Sequence, residues 1–119
     1  METLMDTQAV LDHHLAAFGA GDADEIAKDY TDASVLINQQ GVVVGRDAIR
    51  DTFAGIFAGL FAPGTYEFTM DLTTVAGETA YIVRHARCAQ VDVVLGSDTF
   101  IVRDGKIAVQ TYALKVEER

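Results

Sequence analysis

Ile49-Arg50-Asp51-Thr52-Phe53-Ala54-Gly55-Ile56-Phe57-Ala58-Gly59-Leu60-Phe61-Ala62-Pro63-Gly64-Thr65-Tyr66-Glu67-Phe68-Thr69-Met70-Asp71-Leu72-Thr73 is the stretch that decides the fold. In its first half the large apolar residues Ile49, Phe53, Ile56, Phe57 and Leu60 recur at intervals of four, three, one and three, which lines them up along one face of a helix. Pro63-Gly64 ends that helix, because proline cannot continue it and glycine favours a turn. Beyond it the period falls to two. Tyr66, Phe68, Met70 and Leu72 alternate with Glu67, Thr69, Asp71 and Thr73, as in a strand with one buried and one wet face. The chain therefore changes from helix to strand at Pro63, and the elements on either side extend the same division.

On the N-terminal side, Leu11, Leu15 and Phe18 mark a first helix that Gly19 and Gly21 stop. Asp22, followed three residues later by Glu25, is an aspartate form of the capping box and predicts a short second helix to about Asp29. Val35-Leu36-Ile37, the turn Gln39-Gln40-Gly41 and Val42-Val43-Val44 predict a hairpin, and Gly45-Arg46-Asp47 opens the third helix. On the C-terminal side, turns at Gly77-Glu78, Ala89-Gln90 and Asp104-Gly105 separate strands Thr79 to Cys88, Val91 to Arg103 and Lys106 to about Val116. This order predicts one α+β domain over residues 1–119: three N-terminal helices packed on one strongly curved, mainly antiparallel sheet. A concave, mostly apolar pocket is expected beneath the helices.

Composition narrows the function. Eighteen acidic against nine basic residues give a net charge of −9, which repels phosphate backbones and anionic lipid heads, so neither nucleic acid nor membrane is expected as a partner. The lone Cys88 excludes an internal disulfide and fits a reducing, cytoplasmic setting. Met1-Glu2-Thr3-Leu4-Met5-Asp6 lacks the basic and long apolar stretches of a secretory leader. His13 and His14 are neighbours on a helix and do not face one site, so no metal is expected, and no cofactor either.

Taken in order, Gly21-Asp22, Tyr30-Thr31-Asp32-Ala33-Ser34-Val35, Gly45-Arg46-Asp47-Ala48-Ile49 and Asp98-Thr99-Phe100-Ile101-Val102-Arg103-Asp104-Gly105-Lys106-Ile107 make the chain resemble the nuclear transport factor 2-like superfamily. That superfamily includes ketosteroid isomerases, SnoaL-like polyketide cyclases, scytalone dehydratase and limonene epoxide hydrolase. The resemblance implies a cone-shaped α+β barrel and a homodimer, and leaves the chemistry open. Carried over residue by residue, the ketosteroid isomerase pattern puts His14 at the oxyanion-binding tyrosine position, Asn38 at the general-base aspartate position and Asp98 at the protonated-aspartate position. An amide at position 38 cannot shuttle a proton as a carboxylate does. The limonene epoxide hydrolase pattern lacks its paired acid at Arg84-His85-Ala86, with Tyr112 where its second acid would fall.

The candidate catalytic residues are thus Asp98, His14, His85 and Asn38, each beside a plainer reading. On a helical wheel His14 lies in the sector of Leu11 and Phe18; it is a pocket residue or a core histidine. Asp98 shares its strand face with Phe100 and Val102, where a carboxylate must pair with a cation or keep its proton. His85 is in phase with Tyr81 and Val83. Asn38 is a base-position residue or simply the start of a turn. Phe18, Phe53, Phe57, Tyr81, Phe100, Gln110, Tyr112 and Leu114 are expected to line the pocket, whereas Arg84 and Arg87 read as surface charges or salt-bridge partners. Ile82, Ala86 and Cys88 are expected on the outer sheet face, as the surface of a homodimer. The function expected is that of a pocket for a small, mostly apolar ligand: an isomerase, cyclase or dehydratase, or a binding or dimerisation module that has lost the chemistry.

Overall fold

The computed structural model describes residues 6–119; Met1 to Met5, most of the segment inspected for a leader, lie outside the described residues. The first helix, α1 (Thr7–Ala20), is capped by Asp6, whose carboxylate accepts from the backbone N–H of Ala9. It ends at Gly21, in the left-handed region with φ 65°. A Cβ at Gly21 would stand 2.4 Å from Cγ of Pro63, so this glycine supplies both the turn and the space into which the end of the third helical region docks. Gly21→Ala is expected to cost about 1–2 kcal/mol from the backbone alone, with a further loss as Pro63 is displaced. A urea midpoint equal to that of the unmodified protein would show that the approach is not needed.

Asp22 caps the short α2 (Ala23–Ala27) by accepting from the N–H of Glu25, and β1 (Val35–Asn38), β2 (Gly41–Val44) and α3 (Arg46–Phe57) follow. The second half is all strand: β3 (Glu67–Ala76), β4 (Thr79–Arg87), β5 (Val91–Arg103) and β6 (Lys106–Glu118). The six strands form one sheet in the order β2-β1-β6-β5-β4-β3, in which β1 and β6 run parallel and every other pair antiparallel. Irregularities between Met70 and Leu72, Arg84 and Ala86, Val93 and Leu95, and Ile101 and Val102 interrupt the ladders. Bulges of this kind bend strands and increase their twist, and the sheet curls around the helices as a cone. Val10, Leu11, Ile26, Ile49 and Phe53 meet Leu36, Ile82, Phe100 and Ile107 between the two layers. Among the described residues, no helix is long and apolar enough to cross a membrane.

Outside this core, His13 joins the first two helical segments. Its Nδ1 lies 2.6 Å from the buried Asp29 carboxylate and its Nε2 2.8 Å from Glu25. The Asp29 and Glu25 carboxylates hold the His13 pKa above its usual value, while burial raises that of Asp29.

Two expectations about strand faces are corrected. The bulge after Met70 pushes Leu72 to the outer face, opposite Val83, where it is exposed. On β4 the phase is the reverse of that expected: Ile82, Arg84, Ala86 and the following Cys88 are buried, and Tyr81 and His85 are exposed. The strand is apolar on both sides, so its alternation alone does not select a face. The choice is made by its neighbour, since Ala80 pairs with Phe100 and Ile82 with Asp98, both inward.

Candidate active site

Between the helices and the concave side of the sheet lies a cavity of about 220 Å³. Leu15 and Phe18 of α1, Phe53 and Ile56 of α3, Leu60, Phe61 and Phe68 make its apolar wall. Phe18 is the hub of that wall, meeting Phe57 and Phe61 edge-on with centroids 5.3 and 5.4 Å away. The opposite end is polar. His14, Arg84, Asp98 and Gln110 reach the cavity there, and Asn38, Gln39, Gln40 and Tyr112 stand near them.

Register explains how these polar groups meet. Arg84 on β4 faces Gly96 on β5, and Asp98 follows two residues along the same face. A Cβ at Gly96 would come within 3.0 Å of Leu114 Cδ2 and 3.2 Å of Arg84 Cγ. The missing side chain is the room in which Arg84 leans along the sheet to Asp98. Its Nε donates to Asp98 Oδ1 at 2.8 Å, and Gln110 Nε2 donates to Asp98 Oδ2 at 3.0 Å. The Tyr30 hydroxyl in turn donates to Gln110 Oε1 and approaches His14 Nδ1 at 3.5 Å. The guanidinium carbon of Arg84 stands 6.0 and 5.8 Å from the ring centres of Phe61 and Phe68, within cation–π range. Its Nη1 is buried without a hydrogen-bond partner.

His14 is enclosed by aromatic rings, with the centroids of Phe100 and Phe53 at 5.2 and 5.6 Å. Burial, followed by the Arg84 charge and then His13, lowers its pKa to about 3, so the ring is neutral throughout the physiological range. Burial likewise raises the Tyr30 hydroxyl well above its ordinary value and keeps it protonated. Asp98 pairs with Arg84 and accepts on both oxygens, from Arg84 Nε and Gln110 Nε2.

Of the residues singled out from the sequence, His14, Asn38, Asp98, Phe18, Phe53, Gln110, Tyr112 and Leu114 line this cavity. Asn38 combines its two readings: Oδ1 accepts from the N–H of Gln40 in the turn, and Nδ2 donates to the Tyr112 hydroxyl at 3.1 Å. Phe57 and Phe100 pack behind the wall, in the core. His85 and Tyr81 are corrected to the outer face, where His85 Nδ1 lies 2.7 Å from Asp71 Oδ2. Of the two readings of Arg84, the salt-bridge partner holds and the surface charge does not: it is buried with Asp98, its side chain 8% exposed and that of Asp98 5%. Tyr30, one helical turn beyond Ile26, joins this array although nothing in the sequence marks its hydroxyl for it. Cys88 is buried and its thiol pKa raised by that burial, as befits an inert thiol. Among the described residues, no three His, Cys, Asp or Glu side chains converge as metal ligands.

The cone is shared with solved structures. One is a proposed polyketide cyclase from Sinorhizobium meliloti, 18% identical, with a TM-score of 0.73 over 87% of this chain and 92% of that one. A second is a proposed ketosteroid isomerase from Kribbella flavida, 15% identical, with a TM-score of 0.75 over 92% and 77%. A third is an epoxide hydrolase of the limonene type from M. tuberculosis, 16% identical, with a TM-score of 0.68 over 89% and 80%. At these identities the likeness concerns the fold alone, and among curated proteins none matches. The model of the SnoaL-like domain matches residues 11–110, from within α1 to the first part of β6. The chain therefore belongs to the SnoaL-like domain family, within the nuclear transport factor 2-like superfamily.

Proposed function

We propose that the protein takes up a small, mostly apolar molecule bearing a carbonyl or hydroxyl group and moves a proton beside that group, as a cofactor-independent isomerase, cyclase or dehydratase. The observation that carries this reading is the buried array of Arg84, Asp98, Gln110, Tyr30 and His14 at one end of an otherwise apolar cavity. Apolar walls bind the body of a ligand, and a few fixed polar groups orient its reacting end. Arg84 is suited to steady negative charge developing on a ligand oxygen. The unprotonated imidazole of His14 is the group that would accept a proton.

One observation favours a second reading, a binding module without chemistry. General bases work best with a pKa near the operating pH, whereas that of His14 is lowered to about 3. Both oxygens of Asp98 are also already engaged.

A thermal-shift screen of small ketones and alcohols on the unmodified protein and on Asp98→Asn tests the site. A ligand at one hundred times its Kd stabilises by about 2.7 kcal/mol, and binders are expected to shift the unmodified protein and leave Asp98→Asn largely unmoved. Equal shifts in both would place binding elsewhere. Deuterium uptake beside the carbonyl of a bound ketone in heavy water then separates the readings: uptake supports proton transfer, and its absence supports the binding module.

We also propose that the protein is a cytoplasmic homodimer joined through the outer sheet face, relocated from the residues first expected there. That face exposes Ile37, Val42 and Val44 on β1 and β2 and, across Thr111 and Thr99, Tyr81 and Leu72 on β4 and β3, apolar groups suited to an interaction surface. Sedimentation is expected to show a dimer at micromolar concentration that Val42→Glu with Tyr81→Glu dissociates. A monomer before substitution would refute the assembly.

A further inference from the structure

The hydrogen bonds at the polar end of the cavity have a direction. Asp98 Oδ2 is an acceptor facing Gln110 Nε2, which fixes the Gln110 amide with its oxygen toward Tyr30. The single hydroxyl proton of Tyr30 is spent on that oxygen. The hydroxyl can therefore only accept across the 3.5 Å that separates it from His14 Nδ1, an arrangement that calls for the imidazole proton on Nδ1 and a lone pair on Nε2. From the other side Arg84, which only donates, closes on Asp98 through Nε and keeps Nη1 unpartnered and buried.

The array thus runs from His14 through Tyr30 and Gln110 to Asp98, where it meets Arg84, and each end has capacity left over. His14 offers an acceptor and Arg84 a donor. Nη1 is sealed from the cavity, but Arg84 lines it and the guanidinium carries N–H groups beyond the one given to Asp98, so an incoming oxygen would meet those on Nη2. Resting on the reading given under Proposed function, we propose that the ligand is a hydroxy-ketone or its enol, with a carbonyl oxygen accepting from Nη2 of the Arg84 guanidinium and a hydroxyl donating to His14 Nε2. A carboxylate fits less well. The Arg84 charge is already balanced by Asp98, and a second anion would be buried beside that carboxylate in a chain of net charge −9. The neutral state of His14 supports the same assignment, because a protonated ring would have no lone pair to offer.

The test is a matched set of aromatic probes measured by ligand-observed NMR and calorimetry: α-hydroxyacetophenone and 3-hydroxypropiophenone against acetophenone, 1-phenylethanol, ethylbenzene and benzoate. At least one hydroxy-ketone is expected to bind about tenfold more tightly than either probe with one oxygen, which corresponds to one hydrogen bond of about 1.4 kcal/mol. His14→Phe is expected to abolish the advantage of hydroxy-ketone over acetophenone while acetophenone still binds. Arg84→Lys keeps the charge opposite Asp98 but lacks Nη2, and is expected to abolish the advantage of acetophenone over ethylbenzene. If Arg84→Lys fails to fold, as judged by circular dichroism, the His14→Phe comparison decides alone. Ethylbenzene, 1-phenylethanol or benzoate binding as tightly as the hydroxy-ketones overturns this inference and leaves the cavity reading intact. No binding by any probe overturns both.

Discussion

Arg84→Met is expected to destabilise the protein by about 3–5 kcal/mol, the usual consequence of removing one partner from a buried ion pair. The Asp98 side chain is only 5% exposed, and without the guanidinium its carboxylate would keep the Gln110 amide as its one donor. The loss comes from that stranded charge more than from the absence of attraction. Arg84→Met with Asp98→Leu removes both charges together, and should recover most of the stability, because an apolar replacement of a whole buried pair is often neutral. Urea unfolding of the two proteins checks this. A single variant within about 1 kcal/mol of the unmodified protein, or a double variant no better than the single, would contradict a dry, mutually dependent pair.

Acidification should act through His14. Its pKa lies at about 3 in the folded protein, lowered chiefly by burial, against an ordinary value of 6.5. The unfolded chain therefore takes up a proton that the folded chain refuses, and stability falls as pH drops below 6.5. At about 1.4 kcal/mol per pH unit the loss approaches about 4–5 kcal/mol by pH 3. His13, next in the chain, has the opposite sign. The Asp29 and Glu25 carboxylates raise its pKa, so its contribution is complete below 6.5 and fades as pH rises through the raised value. Between pH 7 and pH 4 the unmodified protein should lose about 3 kcal/mol more than His14→Phe in urea titrations. Parallel pH profiles for the two would mean that His14 is protonated or hydrated in the folded state.

The helical layer was readable because burial imposes its period locally. Leu11, Leu15 and Phe18, and then Ile49 through Leu60, declare a face without reference to anything distant. The strands of the second half were equally plain in number and turn position. Which way β4 faces was not, since Tyr81 and Val83 compete with Ile82, Ala86 and Cys88, and the decision rests on pairing with β5. Arg84 follows from that same uncertainty. One signal could have found it: an inward Asp98 demands a cation or a proton, and Gly96, two residues earlier on the same face, vacates space for a long side chain. Tyr30 offered no such signal. Its hydroxyl is directed at Gln110, eighty residues away, and only the closed sheet brings them together.

The oriented hydrogen-bond array ends at the cavity in an unprotonated nitrogen of His14. A long-range proton–nitrogen correlation spectrum of the imidazole at neutral pH, taken before and after addition of α-hydroxyacetophenone, tests it most directly. The ring should be neutral in the free protein, with its proton on Nδ1. Addition of the probe should move the bare Nε2 resonance while Nδ1 keeps its proton. A doubly protonated ring, a proton on Nε2, or an Nε2 resonance that stays fixed at saturating probe would contradict it.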